Sequence, residues 1–275
     1  FASRWGIPRF YADAREMLER EKPDLVSICS PNETHAPFLE LCASHKVKGV
    51  WCEKPVGTDA PAARRALESC RAAGTVVAVN YMRRWLEQST AVKKALADGS
   101  LGRPLRVQSV YTKGLRHNGS HTLDLLRYWF GEPLEALSIG DGAGSEDDRP
   151  LNVYLRFANG PEAMIVGLPD PGYSLWELDI VAERGRVRWR DGGAFVDWHD
   201  VEPNPSFAGY SSLTAKPRTA ASGLLTVMTK VLSDLLDAVD TGSAPRCSGD
   251  DALKTLELCN TLLRSNQEPT RAARR

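Results

Sequence analysis

Val50-Trp51-Cys52-Glu53-Lys54-Pro55-Val56 is an apolar run that ends in a charged pair and a proline. Its length and composition fit a short buried strand that closes at Glu53, because Pro55 cannot donate to a sheet ladder. In an open α/β sheet, ligands gather just outside the carboxyl ends of the strands. A lysine placed there reaches a ligand oxygen while its neighbours stay packed. The plainer reading is a surface Glu-Lys pair before a turn, and the flanking segments decide between the two.

Upstream, 25–29 is a compact apolar strand, Ser30-Pro31-Asn32-Glu33-Thr34 a turn and 37–44 a helix. Before them, Asp13 is a candidate cap for a helix over 14–21. The strand that contains the opening stretch runs over 47–52, Thr58-Asp59 caps a helix over 60–73, and 75–80 is a further strand. This alternation has the βαβ rhythm of a parallel sheet. Right-handed crossovers then bring Ser30, Glu53-Lys54 and Asn80 to one edge of that sheet. His35 reads either as part of that group or as a helix-start residue without chemistry.

Past Asn80 the pattern changes. A helix to about Asp98 leads into 105–111, which alternates as a strand with Leu105, Val107 and Ser109 on one face. Lys113-Gly114-Leu115-Arg116-His117-Asn118-Gly119-Ser120-His121-Thr122-Leu123-Asp124 follows, with a helix expected from His121 because Gly119 opposes an earlier start. His117 and His121 stand four apart, but no acidic third ligand is fixed by spacing, so proton transfer is the better reading than metal binding. Strands are expected at 136–139, 151–157, 162–167, 174–182, 185–189 and 194–198. Asn159-Gly160 and Glu183-Arg184-Gly185 supply hairpin turns. The result is a mostly antiparallel sheet with one covered and one partly free face. Trp176, Trp189 and Trp198 read either as core or as a subunit interface on the free face. A glycine- and acid-rich loop spans 140–149, and a polar loop at 204–219 is placed to cover a pocket. A long helix over 221–241, a last helix over 249–266 and a frayed tail at 271–275 complete the chain.

The fold class is thus α/β: an incomplete Rossmann-type parallel-sheet domain over 1–82, then an α+β domain over 83–275 with an open, mostly antiparallel sheet and a C-terminal helix packing back on the first. The 275 residues carry 35 Lys+Arg and 35 Asp+Glu, so the balanced charge argues against nucleic acid as a partner. No apolar run is long enough for a membrane span, and six scattered cysteines with no C-x-x-C pair suit a reducing, cytoplasmic setting.

Taken in order, Pro23-Asp24-Leu25-Val26-Ser27-Ile28-Cys29-Ser30-Pro31-Asn32-Glu33-Thr34-His35, Glu53-Lys54-Pro55, Asn80-Tyr81-Met82-Arg83-Arg84-Trp85 and Gly119-Ser120-His121-Thr122-Leu123-Asp124 resemble the Gfo/Idh/MocA oxidoreductases. The resemblance implies hydride transfer between NAD or NADP and a hydroxyl or keto group of a sugar, cyclitol or sugar-like substrate. It implies Lys54 and His121 as catalytic residues, with Arg83, Arg116, His117 and Asp124 joining them at the substrate. Ser30, Pro31, Asn32, His35, Glu53 and Asn80 would line the cofactor side, with no metal. A homo-dimer or tetramer through the open sheet is expected.

Two departures stand out. His117 takes the place where the family often has an aspartate. The sequence also holds no G-x-G-x-x-G, so an opening glycine-rich βαβ unit is expected to be lacking, with an exposed sheet edge as the consequence. Two further readings therefore stand beside the dehydrogenase. One is a cofactor-free descendant using Lys54, His117 and His121 for isomerisation, elimination or cyclisation. The other is a non-catalytic oligomeric binding subunit.

Overall fold

The strand that contains the opening stretch, β2 (Gly49–Cys52), lies at the centre of a three-stranded parallel sheet in the order β1-β2-β3, with β1 at Leu25–Ile28 and β3 at Val76–Val79. The structure is a computed structural model describing residues 2–140, 148–158, 160–170 and 172–265. Expectations placed on Asn159, on most of the 140–149 loop, on the helix end at Asn266 and on the 271–275 tail lie outside the described residues. The chain divides into two units, one of residues 1–81 with 229–254 and one of 82–228 with 255–275.

In the first unit the helices start and stop where local chemistry dictates. Asp13 accepts a hydrogen bond from the Glu16 amide at 2.9 Å and starts α1 (Ala14–Glu21). Asp59 accepts one from the Ala62 amide at 2.9 Å and starts α3 (Ala60–Ala73), which Gly74 closes at φ 77°. The buried stripe of α3 is Ala60, Ala63, Ala66, Leu67 and Cys70, mostly small residues at helical spacing. Helix α2 (His35–Ser44) begins at His35, not at residue 37. Pro37 is tolerated in the first turn, where its missing N–H has no intrahelical partner in any case. The segment of α6 (Val227–Thr241) in this unit packs on β2 at Gly49. A methyl group there would sit 2.7 Å from Leu25 Cδ2 and 2.8 Å from Val239 Cγ2. The edge at β3 is closed by the 247–248 segment, whose Cys247 carbonyl accepts from the Val79 amide at 3.0 Å. Along β1, on the other edge, runs a groove of about 560 Å³ lined in part by Phe10, Met17, Leu25 and Val26.

The second unit is built on a nine-stranded sheet in the order β11-β10-β9-β8-β4-β7-β6-β5, with β12 also pairing with β10. The strands are β4 (Pro104–Thr112), β5 (Pro133–Ile139), β6 (Asn152–Phe157), β7 (Glu162–Leu168), β8 (Trp176–Ala182), β9 (Gly185–Arg190), β10 (Phe195–Pro203), β11 (Ser211–Leu213) and β12 (Arg218–Ala221). All pairings are antiparallel except that of β4 with β7. On one face Val107, Tyr111, Leu155, Ile165, Trp176, Leu178, Ile180 and Trp189 are buried. The alternation in β8, with Glu177 and Asp179 on the opposite side, is the one its sequence pattern requires. Helix α5 (Ser120–Phe130) covers this face, with Trp176 Nε1 donating to Thr122 Oγ1 at 3.0 Å, and Trp129 Nε1 ties it to α4 (Glu87–Ala97) through the Ser89 carbonyl at 3.1 Å. The other face is mixed, with the Arg106–Glu162 and Arg156–Glu135 pairs among exposed Leu137, Ile139 and Val181.

Several expectations need correction. Of the two readings left open for Trp176, Trp189 and Trp198, the core is the right one and the outer interface is not, and rings 176 and 189 meet edge to face with centroids 6.4 Å apart. Leu105 is exposed, because a register shift between Pro104 and Arg106 takes it off the inner face that Val107, Ser109 and Tyr111 share. The 204–219 stretch is not a free loop. Its middle forms β11 and its end enters β12, and both pair with β10 and need no apolar side chains to do so. Gly223, at φ 84°, breaks the chain before Leu224, so α6 starts at Val227 and not at 221.

Candidate active site

At the carboxyl end of β1, Ser30 Oγ lies 2.6 Å from Thr34 Oγ1, which donates to the Pro31 carbonyl at 2.7 Å. These bonds brace a 3₁₀ turn over Asn32–Thr34, with Pro31 as its N-cap, and leave Pro31 and Asn32 exposed. His35 is fully buried, with Nδ1 2.6 Å from the Pro55 carbonyl and Nε2 2.9 Å from the Ser30 carbonyl. Both ring nitrogens are directed at main chain, so His35 ties the loop after β1 to the loop after β2.

The β2 loop carries Glu53, Lys54 and a cis Lys54–Pro55 peptide. Main-chain bonds extend the sheet past its strands, from the Glu53 amide to the Ile28 carbonyl at 2.9 Å and from the Asn80 amide to the Cys52 carbonyl at 2.8 Å. Asn80, buried at the end of β3, donates from Nδ2 to Glu53 Oε1 at 2.7 Å. Lys54 is half-buried beside this pair in sequence. Three adjacent parallel strands thus end in Ser30, Glu53-Lys54 and Asn80 on one edge, as the βαβ pattern requires. Beneath them, burial pushes the Cys52 thiol well up, a group for packing and not for nucleophilic attack.

In the second unit, β4 ends at Thr112 and the chain enters a π-helical turn, Leu115–Gly119, that runs straight into α5. Gly119 therefore does not delay the helix. It fits because a side chain there would meet the Tyr111 ring at 2.8 Å. Asp148 caps the turn, accepting from the Arg116 amide at 2.7 Å and the His117 amide at 3.0 Å. The Arg116 guanidinium bonds Asn260 Oδ1 from Nε at 3.0 Å and from Nη2 at 2.8 Å. His117 is exposed and His121, in the first turn of α5, is buried with 8% of its surface open.

Asp124 lies one turn further along and is held by Arg84. Nε reaches Oδ2 at 2.8 Å and Nη2 reaches Oδ1 at 2.8 Å, and Thr255 Oγ1 adds a bond at 3.2 Å. Arg83, one residue earlier, turns elsewhere. Its guanidinium lies 4.1 Å from the centre of the Trp176 ring and donates from Nη2 to the Gly192 carbonyl at 3.2 Å. Burial pulls it down to about 9, which still leaves it charged at neutral pH. Among the described residues, no three His, Cys, Asp or Glu side chains are grouped to hold a metal ion. No helix there is long and apolar enough to cross a membrane.

Sequence reasoning missed Arg84, Asp148, Thr255 and Asn260. Arg84 could have been flagged as a charge in a mostly apolar run, but its partner is 40 residues away. Asp148 carries no local signal at all.

Residues 1–81 match the GFO_IDH_MocA family model, described as "Oxidoreductase family, NAD-binding Rossmann fold". A myo-inositol 2-dehydrogenase of Thermotoga maritima is 26% identical over 205 residues, covering 66% of this chain and 61% of that protein. A D-apiose dehydrogenase of Paraburkholderia graminis is 31% identical over 145 residues, covering 46% of this chain and 38% of that protein. The chain thus spans less than two thirds of the length of these curated relatives. An inositol dehydrogenase homologue of Azotobacter vinelandii, solved with NADH and myo-inositol, superposes with a TM-score of 0.78 at 16% identity, covering 97% of this chain and 84% of that one. That likeness establishes the fold. The polar strand ends described above lie at the edge where an open α/β sheet takes its ligand. The sequence holds no G-x-G-x-x-G of the kind that cradles a pyrophosphate.

Proposed function

We propose, from the match of residues 1–81 to the Gfo/Idh/MocA oxidoreductase family model, that this protein transfers a hydride between NAD(P) and the hydroxyl or keto carbon of a sugar, cyclitol or sugar-like substrate. The observation that carries the reading is the edge of the parallel sheet, where Ser30, Glu53-Lys54 and Asn80 end three neighbouring strands and Asn80 fixes the Glu53 carboxylate. Ser30, Pro31, Asn32, Glu53 and Asn80 would hold the nicotinamide end, and His35 supports them by clamping the two loops they stand on. Bound NAD(P) supplies the hydride acceptor or donor. The Lys54 ammonium orients the substrate oxygen and favours its negative charge. His121 takes the hydroxyl proton as the carbonyl forms and returns it in the reverse direction. In this reading the exposed His117 and the Arg116 side chain, bound to Asn260, contact the substrate's other hydroxyls. Asp124 is committed to Arg84 and serves substrate binding by holding α5 in place.

The six free cysteines suit a cytoplasmic protein. The exposed Leu137, Ile139 and Val181 on the outer sheet face suit self-association as a dimer or tetramer.

Calorimetric titration with NADH and with NADPH tests the cofactor. A panel of inositols and aldoses, followed by NADH absorbance, tests the chemistry. Lys54→Ala and His121→Ala are each expected to lower kcat at least about 100-fold while leaving NADH affinity within a few-fold. A folded protein that binds neither cofactor overturns the reading and leaves proton transfer at Lys54 and His121 as its successor.

A further inference from the structure

The turn that carries Arg116 and His117 runs straight into the helix that carries His121, yet different groups anchor the two. Helix α5 is fastened at Thr122 and Asp124. Trp176 Nε1 donates to Thr122 Oγ1 at 3.0 Å, and Ser109 Oγ lies 3.1 Å from the same hydroxyl. Arg84 grips Asp124 through two bonds of 2.8 Å. The turn, Leu115–Gly119, is fastened instead by the segment that leads into β6. Its first three amides are taken in succession, Leu115 by the Arg149 carbonyl at 3.1 Å, Arg116 by Asp148 Oδ1 at 2.7 Å and His117 by Asp148 Oδ2 at 3.0 Å. Asn118 secures the far end, donating to the Thr112 and Leu175 carbonyls at 3.2 Å each. All of these residues belong to the second unit.

Amides at the start of a helical turn have no partner within it. Here one carboxylate takes two of them, one oxygen to each, in bonds strengthened by its charge. The chain makes room for that side chain. At Gly114 a methyl group would overlap the Asp148 carboxylate and sit 2.5 Å from the Asp148 carbonyl oxygen. The segment is fixed in turn at Leu151, whose carbonyl accepts from the Tyr111 hydroxyl at 2.9 Å. The backbone positions of Arg116 and His117 therefore depend on one side chain that does not touch α5 at His121 or at either of its two anchors.

We propose that Asp148 is a positioning residue that sets which substrate hydroxyls this protein reads, acting through Arg116 and His117 and not through His121. Without the carboxylate the two amides turn to water and the near end of the turn frays, while Trp176 and Arg84 keep α5 in place. A cation or ring held at one point distinguishes the orientation of a hydroxyl, and one that wanders does not. The inference rests on the proposed oxidoreductase for the roles of Arg116, His117 and His121. It adds that substrate selection and proton transfer have separable anchors.

Hydrogen exchange read by mass spectrometry on the whole chain tests the anchor without any reaction. In Asp148→Ala the peptide over 114–119 is expected to exchange at least about tenfold faster, and the peptide over 122–130 as in wild type. Steady-state rates with myo-inositol, scyllo-inositol, D-glucose and D-galactose test the consequence. For the best of these, Asp148→Ala is expected to raise KM about tenfold while kcat changes less than about threefold and the KM of the cofactor stays put. The ratio of kcat/KM between epimers is expected to fall towards one. Asp148→Asn, which keeps the shape and one acceptor oxygen, is expected to lie between, and it carries the same comparisons where Asp148→Ala does not fold. A fall in kcat as large as the rise in KM, an unchanged epimer ratio, or unchanged exchange over 114–119 each overturns the proposal. A wild type that binds these sugars in a calorimeter but transfers no hydride loses the oxidoreductase, and the epimer ratio of affinities then judges Asp148. One that binds none of them loses both.

Discussion

Replacing Asp124 with Asn changes one atom in the most heavily charged part of the interior. The Arg84 and Asp124 side chains are 4% and 1% exposed, and their two parallel contacts are both 2.8 Å long. Arg127 stands in the same field, where Asp124 favours its charge and Arg84 opposes it. Its own partner, Glu132, has 56% of its side chain in solvent. Without the Asp124 charge, two buried guanidiniums that oppose each other's charge are left with one partly solvated carboxylate, the Glu132 bound to Arg127. Removing one member of a buried pair typically costs about 3–5 kcal/mol, because the survivor stays desolvated. Asp124→Asn is expected to fall in that range. The double variant Arg84→Met/Asp124→Leu removes both charges and is expected to lose less than either single change. Urea unfolding followed by tryptophan fluorescence reads this unit well, because Trp129, Trp176 and Trp189 all lie in its core. An Asp124→Asn variant within about 1 kcal/mol of wild type would refute the argument, since that is the worth of an ion pair on the surface.

Gly49→Ala is expected to destabilise the first unit by about 1–3 kcal/mol, because the new methyl overlaps Leu25 and Val239; circular dichroism in urea measures it. Burial raises the Asp197 carboxyl, but bonds from Thr219 and Arg190 outweigh it and leave the group below its ordinary value. The stability this gives is present above the unfolded carboxyl range and is lost as pH falls through the folded value, so wild type and Asp197→Asn are expected to converge in acid. Urea midpoints from pH 7 down to pH 2 check the convergence. Of the six thiols, Cys29 alone is exposed, while burial holds Cys42 up at about 11 and Cys70 at about 12. One thiol is expected to react quickly with a chromogenic disulfide at pH 8 and the other five only on denaturation.

The parts of the fold that were legible in the sequence are those set by neighbours along the chain. Helices α1 and α3 begin and end as expected because Asp13, Asp59 and Gly74 act within one turn of themselves. The inward and outward faces of β8 follow from alternation alone. Contacts between distant residues were not legible. Arg83 and Arg84 are adjacent and equally cationic, yet one finds a carboxylate on α5 and the other an indole on β8. Likewise β11 and β12 carry no apolar pattern, since their pairing with β10 is a matter of backbone bonds. At the candidate site, Lys54 and Asn80 were legible because βαβ topology sends every strand end to one edge. The Asp148 cap was invisible because it reaches the turn after β4 from 32 residues away.

The position of β4 also bears on how quickly the second unit assembles. Strands β5, β6 and β7 form one run of antiparallel neighbours and β8, β9 and β10 another, each joining strands that are consecutive in sequence. Strand β4 joins the two runs, and both of its partners are remote in sequence, with Arg106 opposite Glu162 and Tyr111 opposite Trp176. The two runs form from local encounters, whereas the seam needs a long loop to close before any of its bonds repay the lost entropy. Folding of this unit is therefore expected to be limited by the docking of one strand. Changes in the hairpins that form before that step are expected to act on the rate of folding, and changes in contacts made only after it on the rate of unfolding.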